Sequence, residues 1–462
     1  MGERIQYFLL ALALLGGCYL RTVNIGLPVL GDDGSYLYKS KEVYSGLKAY
    51  EEVFLGHPPL NHVLTAYAYR VFGVGIASGR LSSVLFSIAS IPLVFIVARR
   101  YYGFESGLLA AAVFSLSYGV VHFTSQALLY SEALFFSLLA THLFLLDGRR
   151  NSALAGLAAG VAAWGRMNSI VVLAAMLAYS LIKREHERVL PVAGGFIFAA
   201  APMALLYPVD GLLDQILFYH MAKPSFSLAT KLKYLLTVTT SYYPVISVIF
   251  VSGMWMTVKS GGWSEPDMLY SLNAFLALLS TLLLSYAHPN ASAAYVTPSI
   301  YAFLMVGCRA TSRFSRHAML GFAFLLLASA STVTFTASAR DGMVGGNMMA
   351  EVEYVISYVE GNSSPEELLL VDDYILHYIP LLSRNRMVPG ADLNEYRLKH
   401  TLTFEGLEDM KSQAGYVIMS GEGSCGEIPE DLAEIGARKR EVLLEDTRLA
   451  YRTDSIYVYE VL

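Results

Sequence analysis

Apolar runs of transmembrane length recur along this chain, and the lysines and arginines beside them fall at alternate ends. Leu81–Ala98 closes on Arg99-Arg100, Ala127–Leu146 on Arg149-Arg150, and Asn168–Ile182 on Lys183, Arg184 and Arg188. Further on, Ser241–Val258 closes on Lys259, and Tyr295–Val306 on Arg309, Arg313 and Arg316. Basic residues gather on the cytoplasmic side of a membrane. The chain therefore reads as a polytopic membrane protein. Its composition agrees, being 55% hydrophobic and 15% charged over 462 residues, with a mean hydropathy of +0.47.

With the N-terminus cytoplasmic, Ile5–Leu20 runs outward, Ser106–Val121, Val189–Tyr207 and Asp267–Tyr286 do the same, and Ala318–Phe335 exits last. The N-terminal run lacks a convincing small-residue cleavage site and reads as an uncleaved first span. As one helix, the 31 residues of Ser152–Ile182 would run about 46 Å. They would also put one basic cluster on the wrong side. Two short helices, Ser152–Trp164 and Asn168–Ile182, joined at Gly165-Arg166-Met167-Asn168, resolve both problems, with Gly156 and Gly160 spaced for close helix packing. The expected fold is an all-α polytopic membrane bundle of about eleven transmembrane helices, N-terminus in and C-terminus out. Residues 1–336 would form it, with a first outer loop over 22–80 carrying interfacial helices. A small extracytoplasmic α/β domain would follow over 337–462. Its expected strands are ELLLVDD, AGYVIMSG and DSIYVYEVL, and its expected helices Met349–Val359, Ile375–Leu382 and Pro429–Ile435.

The net charge of −5 and the lack of a basic stripe exclude nucleic acid as a partner. Cys18, Cys308 and Cys425 lie far apart and form neither a disulfide framework nor a metal-ligand spacing. No cofactor or metal is expected.

The first outer loop concentrates the chemistry. Asp32 and Asp33 stand at the start of an amphipathic pattern with Tyr36, Leu37, Val43, Tyr44 and Leu47 on one stripe and Lys39, Lys41, Glu42 and Lys48 on the other. A second helix opens at Pro58-Pro59, with Leu60, Val63, Leu64, Tyr67, Ala68, Val71 and Phe72 opposite Asn61, His62, Thr65 and Arg70. Roughly 14 residues is short of the ~20 that cross a bilayer, so both helices are expected to lie on the membrane surface.

Each candidate has a plainer alternative. Adjacent carboxylates can cap a helix, but a carboxylate is also what takes a proton from an acceptor hydroxyl. With a lipid phosphate as leaving group, one carboxylate suffices. His57 is a capping or surface histidine, or a donor near phosphate. Arg166 at membrane depth is a functional candidate unless it snorkels to the interface, and its fork of donors suits phosphate. Arg80 is a second phosphate candidate, with ion pairing to the loop carboxylates as the alternative. Glu132, near the outer end of its span, pairs with an arginine or supports the acceptor. Tyr36 and Tyr295 are further support candidates. The outer loop Asp210–Lys233, with His220, Lys223 and Lys231, and His288 carry weaker signals, as do the sequons at Asn290 and Asn362.

The run GDDGSYLY, then GHPPLNHVLTAYAYRVFG, then GRLSSVLFSIASIPLVFIVARRYYG resembles the GT-C membrane glycosyltransferases. The nearest branches are those of the dolichyl-phosphate-mannose–protein mannosyltransferases, the aminoarabinose transferase of lipid A and the Rgt-type galacturonosyltransferases. The likeness is strongest over about residues 5–185. It implies that Asp32 is the catalytic base, with Asp33 in the place often taken by Glu. The HPPL motif maps onto His57-Pro58-Pro59-Leu60, the span with an outer Glu onto LLYSEALFF, and the Gly-rich span ending in a cation onto GLAAGVAAWGRMNS, hence Arg166. Two departures stand out. Gly56 replaces the acidic residue that the aminoarabinose branch carries before its proline motif, and Ala294-Tyr295 only approximates the family's Arg-Tyr.

The expected activity is inverting transfer of a sugar from a polyprenyl- or dolichyl-phosphate carrier to a protein, glycan or lipid acceptor at the extracytoplasmic face of the cell membrane. The competing classes are a transporter or flippase, which should show paired halves with broken helices, and a non-catalytic assembly subunit.

Overall fold

The computed structural model describes residues 3–23, 25–26, 32–221, 227–284, 295–311, 350–372, 374–389, 404–420 and 430–462. The expected span Ala318–Phe335 lies outside these residues, as do Arg313, Arg316, Lys223, His288, Asn290 and Cys425. Contacts divide the chain into two compact units.

The first unit comprises Met1–Ile25, Ser82–Leu206 and Ser225–Ala339. Among the described residues the first ten α-helices in chain order are α1 Glu3–Thr22, α2 Asp33–Tyr44, α3 Leu60–Phe72, α4 Ile76–Tyr102, α5 Phe104–Leu116, α6 Tyr118–Ser125, α7 Ser131–Phe144, α8 Arg149–Gly165, α9 Ile170–Ile182 and α10 His186–Leu206. The first unit holds α1, α4 from Ser82 onward, α5–α10, and the helices Leu228–Ser241, Pro244–Ser260, Glu265–Leu284 and Ile300–Thr311. Among the described residues, four helices are long and apolar enough to cross a membrane: α1, α4, α10 and the one starting at Glu265. Counting each of two bent pairs as one span raises this to six. The protein is an integral membrane protein.

The break expected inside 152–182 is present. α8 ends at Gly165, Arg166 is extended, Met167–Ser169 forms a 3-10 turn, and α9 follows. The glycine stripe serves a neighbour the sequence does not name. A Cβ on Gly156 would lie 2.0 Å from the Val192 carbonyl oxygen, and one on Gly195 would lie 2.0 Å from that of Ala153. Only glycine lets α8 and α10 approach so closely. The α5–α6 pair is bent by 60°. Arg21, 1% exposed, donates to the carbonyls of Ser115 at 3.1 Å and Phe114 at 3.3 Å, which a broken helix end leaves without partners.

The second unit comprises Gly26–Leu81, Tyr207–Pro224 and Arg340–Leu462. It therefore joins the first loop to the C-terminal segment. Its sheet has the order β1-β2-β4-β3, with β1 Leu368–Val371, β2 Ala414–Ser420, β3 Thr447–Arg452 and β4 Ile456–Val461. β1 and β2 are parallel, and the β2–β4 and β3–β4 pairs are antiparallel. Leu370, Val371, Val417, Ile418 and Val458 fill the core. Helices occupy 350–362, Phe404–Ser412 and Glu430–Leu444.

The two loop helices do not behave alike. α2 is buried on both faces, Lys39 and Glu42 included, so it does not lie on a surface with its charged side free. Its polar side is taken up inside the unit: the Lys41 ammonium donates to the carbonyls of Pro380, Leu381 and Ser383 at 2.6, 3.0 and 2.9 Å. Tyr38 donates to Glu42 at 2.7 Å and accepts the Met387 N–H at 2.8 Å. Burial, the largest cause, raises the Glu42 carboxyl above its usual range. α3 instead turns its polar residues Asn61, His62 and Thr65 inward and exposes Tyr67, Val71 and Phe72. An outward apolar face on a short helix suits a bilayer surface.

Candidate active site

The second unit places Asp32 and Asp33 in opposite surroundings. Asp32 is the residue before α2, exposed, and its side chain makes no capping hydrogen bond. Its carbonyl accepts the Tyr36 N–H at 3.0 Å. Asp33 is completely buried. Its Oδ2 accepts from Arg80 Nη2 and from the Tyr378 hydroxyl, both at 2.8 Å. Arg80 Nε lies 3.3 and 3.2 Å from the two carboxylate oxygens. Arg80, a phosphate candidate with ion pairing as its alternative, forms that ion pair.

Close backbone approach makes this possible. A Cβ on Gly79 would fall 2.3 Å from Leu37 Cδ2 and 2.6 Å from the Tyr69 hydroxyl. Thr65 donates to the Gly79 carbonyl at 3.0 Å, and Tyr69 to that of Leu37 at 3.2 Å. α2, α3 and the first turn of α4 are thus fixed together behind the two aspartates.

One turn along α2, Tyr36 meets His57 and His62 edge-on, at centroid distances of 5.5 and 5.9 Å. His57 stacks on His220 at 4.8 Å, and His220 Nε2 lies 2.7 Å from the Gly56 carbonyl oxygen. The Lys39 ammonium sits over the rings of Tyr36 and Phe54 at 5.9 and 5.4 Å. His62 is fully buried beside Ser40 Oγ at 3.0 Å. Burial, helped by Lys39, pushes its imidazole down to about 3, so it is neutral at physiological pH.

The remaining candidates gather in the first unit. Arg166, 8% exposed, places its guanidinium 4.5 Å from the Tyr130 ring centroid, a cation–π contact. Glu132 is completely buried in the first turn of α7. Gly165, beside Arg166, packs on Ala133, where a Cβ would meet the Ala133 nitrogen at 3.1 Å. Asn168 donates to the Tyr295 carbonyl at 2.7 Å. The α8–α9 break therefore brings the Arg166, Glu132 and Tyr295 segments to one region of this unit. Lys231, from the weaker loop, instead reaches the Leu283 carbonyl at 3.5 Å. No three His, Cys, Asp or Glu side chains gather to hold a metal among the described residues.

Sequence reasoning missed Tyr378, Tyr130 and the burial of Lys39. Tyr130 stands in LLYSEALFF, two residues before Glu132, and could have been paired with a nearby cation. Tyr378 carries no local signal.

ArnT from Cupriavidus metallidurans in the apo state superposes with a TM-score of 0.73 at 14% identity, covering 98% of this chain and 97% of that one. The chain has the fold of ArnT. ArnT from Cupriavidus metallidurans bound to undecaprenyl phosphate matches with a TM-score of 0.68 at 15% identity over 99% of this chain and 98% of that chain. The archaeal oligosaccharyltransferase AglB from Archaeoglobus fulgidus, in complex with an inhibitory peptide and a dolichol-phosphate, matches at 0.58 and 12% identity. That alignment covers 90% of this chain and 69% of AglB. A family model described as dolichyl-phosphate-mannose-protein mannosyltransferase matches residues 56–211, from the HPPL motif through α10. No curated protein matches the sequence. The likeness to ArnT thus covers both the motif-bearing half and the C-terminal half, where the resemblance in sequence had thinned.

Proposed function

We propose that this protein is a glycosyltransferase that moves one sugar from a polyprenyl-phosphate carrier to an acceptor hydroxyl at the extracytoplasmic face, with inversion. The observation that carries this reading is the contrast between the two aspartates. Asp33 is consumed by Arg80 and Tyr378, whereas Asp32 leaves its carboxylate exposed at the start of a rigidly held helix. A carboxylate so held is suited to general-base work. The related fold binds undecaprenyl phosphate in ArnT and a dolichol-phosphate in AglB, which supports a lipid-phosphate donor.

In this reading Asp32 takes the proton of the acceptor hydroxyl, whose oxygen attacks the anomeric carbon. The bond from that carbon to the carrier phosphate breaks, and its electron pair leaves with the phosphate. Arg166 meets the charge on the leaving phosphate, with His57 as a second donor. Glu132, Tyr36 and Tyr295 support the cationic and acceptor groups, while Arg80 holds Asp33. The remaining architecture follows the positive-inside reading: about eleven spans, N-terminus in, and the segment from 337 onward outside the cell membrane.

The test is incubation of the purified protein in lipid with a panel of radiolabelled polyprenyl-phosphate sugars. Transfer or release of sugar, with inverted anomeric configuration in the product, is the expected result. Intact carrier after exposure to every donor, together with ion-coupled solute flux in proteoliposomes, would establish the transporter class instead.

A further inference from the structure

We propose that Tyr378 is a positioning residue of the transferase, acting through Asp33 and Arg80 to fix the helix start that carries Asp32. This deepens the reading above and rests on it. Tyr378 is completely buried, and its hydroxyl lies 2.8 Å from Asp33 Oδ2 and 3.3 Å from Arg80 Nη2. It joins a buried network in which the Asp33 carboxylate accepts from both Arg80 and Tyr378. A buried network of this kind holds its members in one geometry when all are satisfied.

The segment that carries Tyr378 is bound to α2 at independent points. Lys41 donates to three carbonyls at the end of the Tyr378–Leu382 helix. Tyr38 accepts the Met387 N–H and meets His377 edge-on at 6.1 Å, and Arg386 lies 3.8 Å from Glu42. These contacts repeat along α2 from its first turn to its last. Residues 374–388 therefore serve the loop that bears the base, and the C-terminal domain is a working part of the enzyme. Tyr69, whose hydroxyl bonds to the Leu37 carbonyl, braces the same helix from α3.

The experiment uses the full chain in lipid and compares Tyr378→Phe, Lys41→Met and wild type for kcat, donor KM and melting temperature. Lys41→Met removes docking contacts without touching Asp33. Tyr378→Phe is expected to lower kcat about tenfold per folded enzyme, since it removes a hydrogen bond to a charged group, while donor KM stays within about twofold. Lys41→Met is expected to lower the melting temperature at least as much, with a smaller loss of kcat. Parallel losses of kcat and melting temperature in both variants would show that Tyr378 only docks its segment, and the proposal would be overturned. A melting cycle of Tyr378→Phe against Asp33→Asn reads the link without activity. It should be non-additive by about 1–2 °C, and simple additivity would overturn the link. A wild type that transfers nothing overturns the transferase reading and leaves the link to be judged by that cycle.

Discussion

Asp32 and Asp33 share a peptide bond and little else: Asp33 is completely buried and accepts from Arg80 and Tyr378, and Asp32 is exposed with no side-chain capping bond. Neighbouring carboxylates thus stand in opposite surroundings. Asp33→Asn should leave the Arg80 cation buried against a neutral amide. Removing one partner of a buried pair costs about 3 kcal/mol or more. Thermal unfolding in lipid should show that loss for Asp33→Asn and almost none for Asp32→Asn.

Arg166 stands over the Tyr130 ring at the α8–α9 break. If it receives the carrier phosphate, Arg166→Ala removes charged hydrogen bonds worth about 1.5–3 kcal/mol, and donor KM should rise about 10- to 100-fold. Arg166→Lys keeps the charge without the fork and should lose less. An unchanged donor KM in the alanine variant would assign Arg166 to structure.

The α8–α10 approach depends on glycine. Gly195→Val would drive a side chain into the Ala153 carbonyl, 2.0 Å from where its Cβ must sit. Overpacking typically costs about 1–3 kcal/mol, and a backbone obstacle lies at the upper end. A clear fall in melting temperature, larger than for the same change at open Gly194, is expected.

His62 gives the fold an acid-sensitive point. Burial and Lys39 hold its imidazole at about 3, against 6.5 in the open chain. Between those values the unfolded chain takes up a proton that the folded one refuses, so stability is lost as pH falls through the window. The loss from this group is about 1.4 kcal/mol per pH unit. His62→Gln should flatten the dependence of melting temperature on pH between about 6.5 and 4, at the expense of some stability at neutral pH.

Much of this was legible in the sequence because its signals were local. The break at Gly165–Asn168 followed from length and charge, and β1, β2 and β4 from short runs rich in branched and aromatic residues. β3 was missed because its arginines and its irregular register between Leu449 and Tyr451 blur the alternation. The burial of α2 escaped because periodicity reveals two faces and not what covers them. α3 shows the same ambiguity resolved the other way, with its polar face turned inward and its apolar face out. Tyr378 was invisible for a plainer reason: it meets Asp33 across 345 positions of chain, and nothing near either residue announces the other.

The most direct test of the account is the rate of sugar transfer from polyprenyl-phosphate donors by wild type and Asp32→Asn, each shown to be folded by its melting temperature. The account predicts transfer by wild type and a loss of more than about tenfold in the variant, with donor binding retained. Near-normal turnover by a folded Asp32→Asn would contradict it.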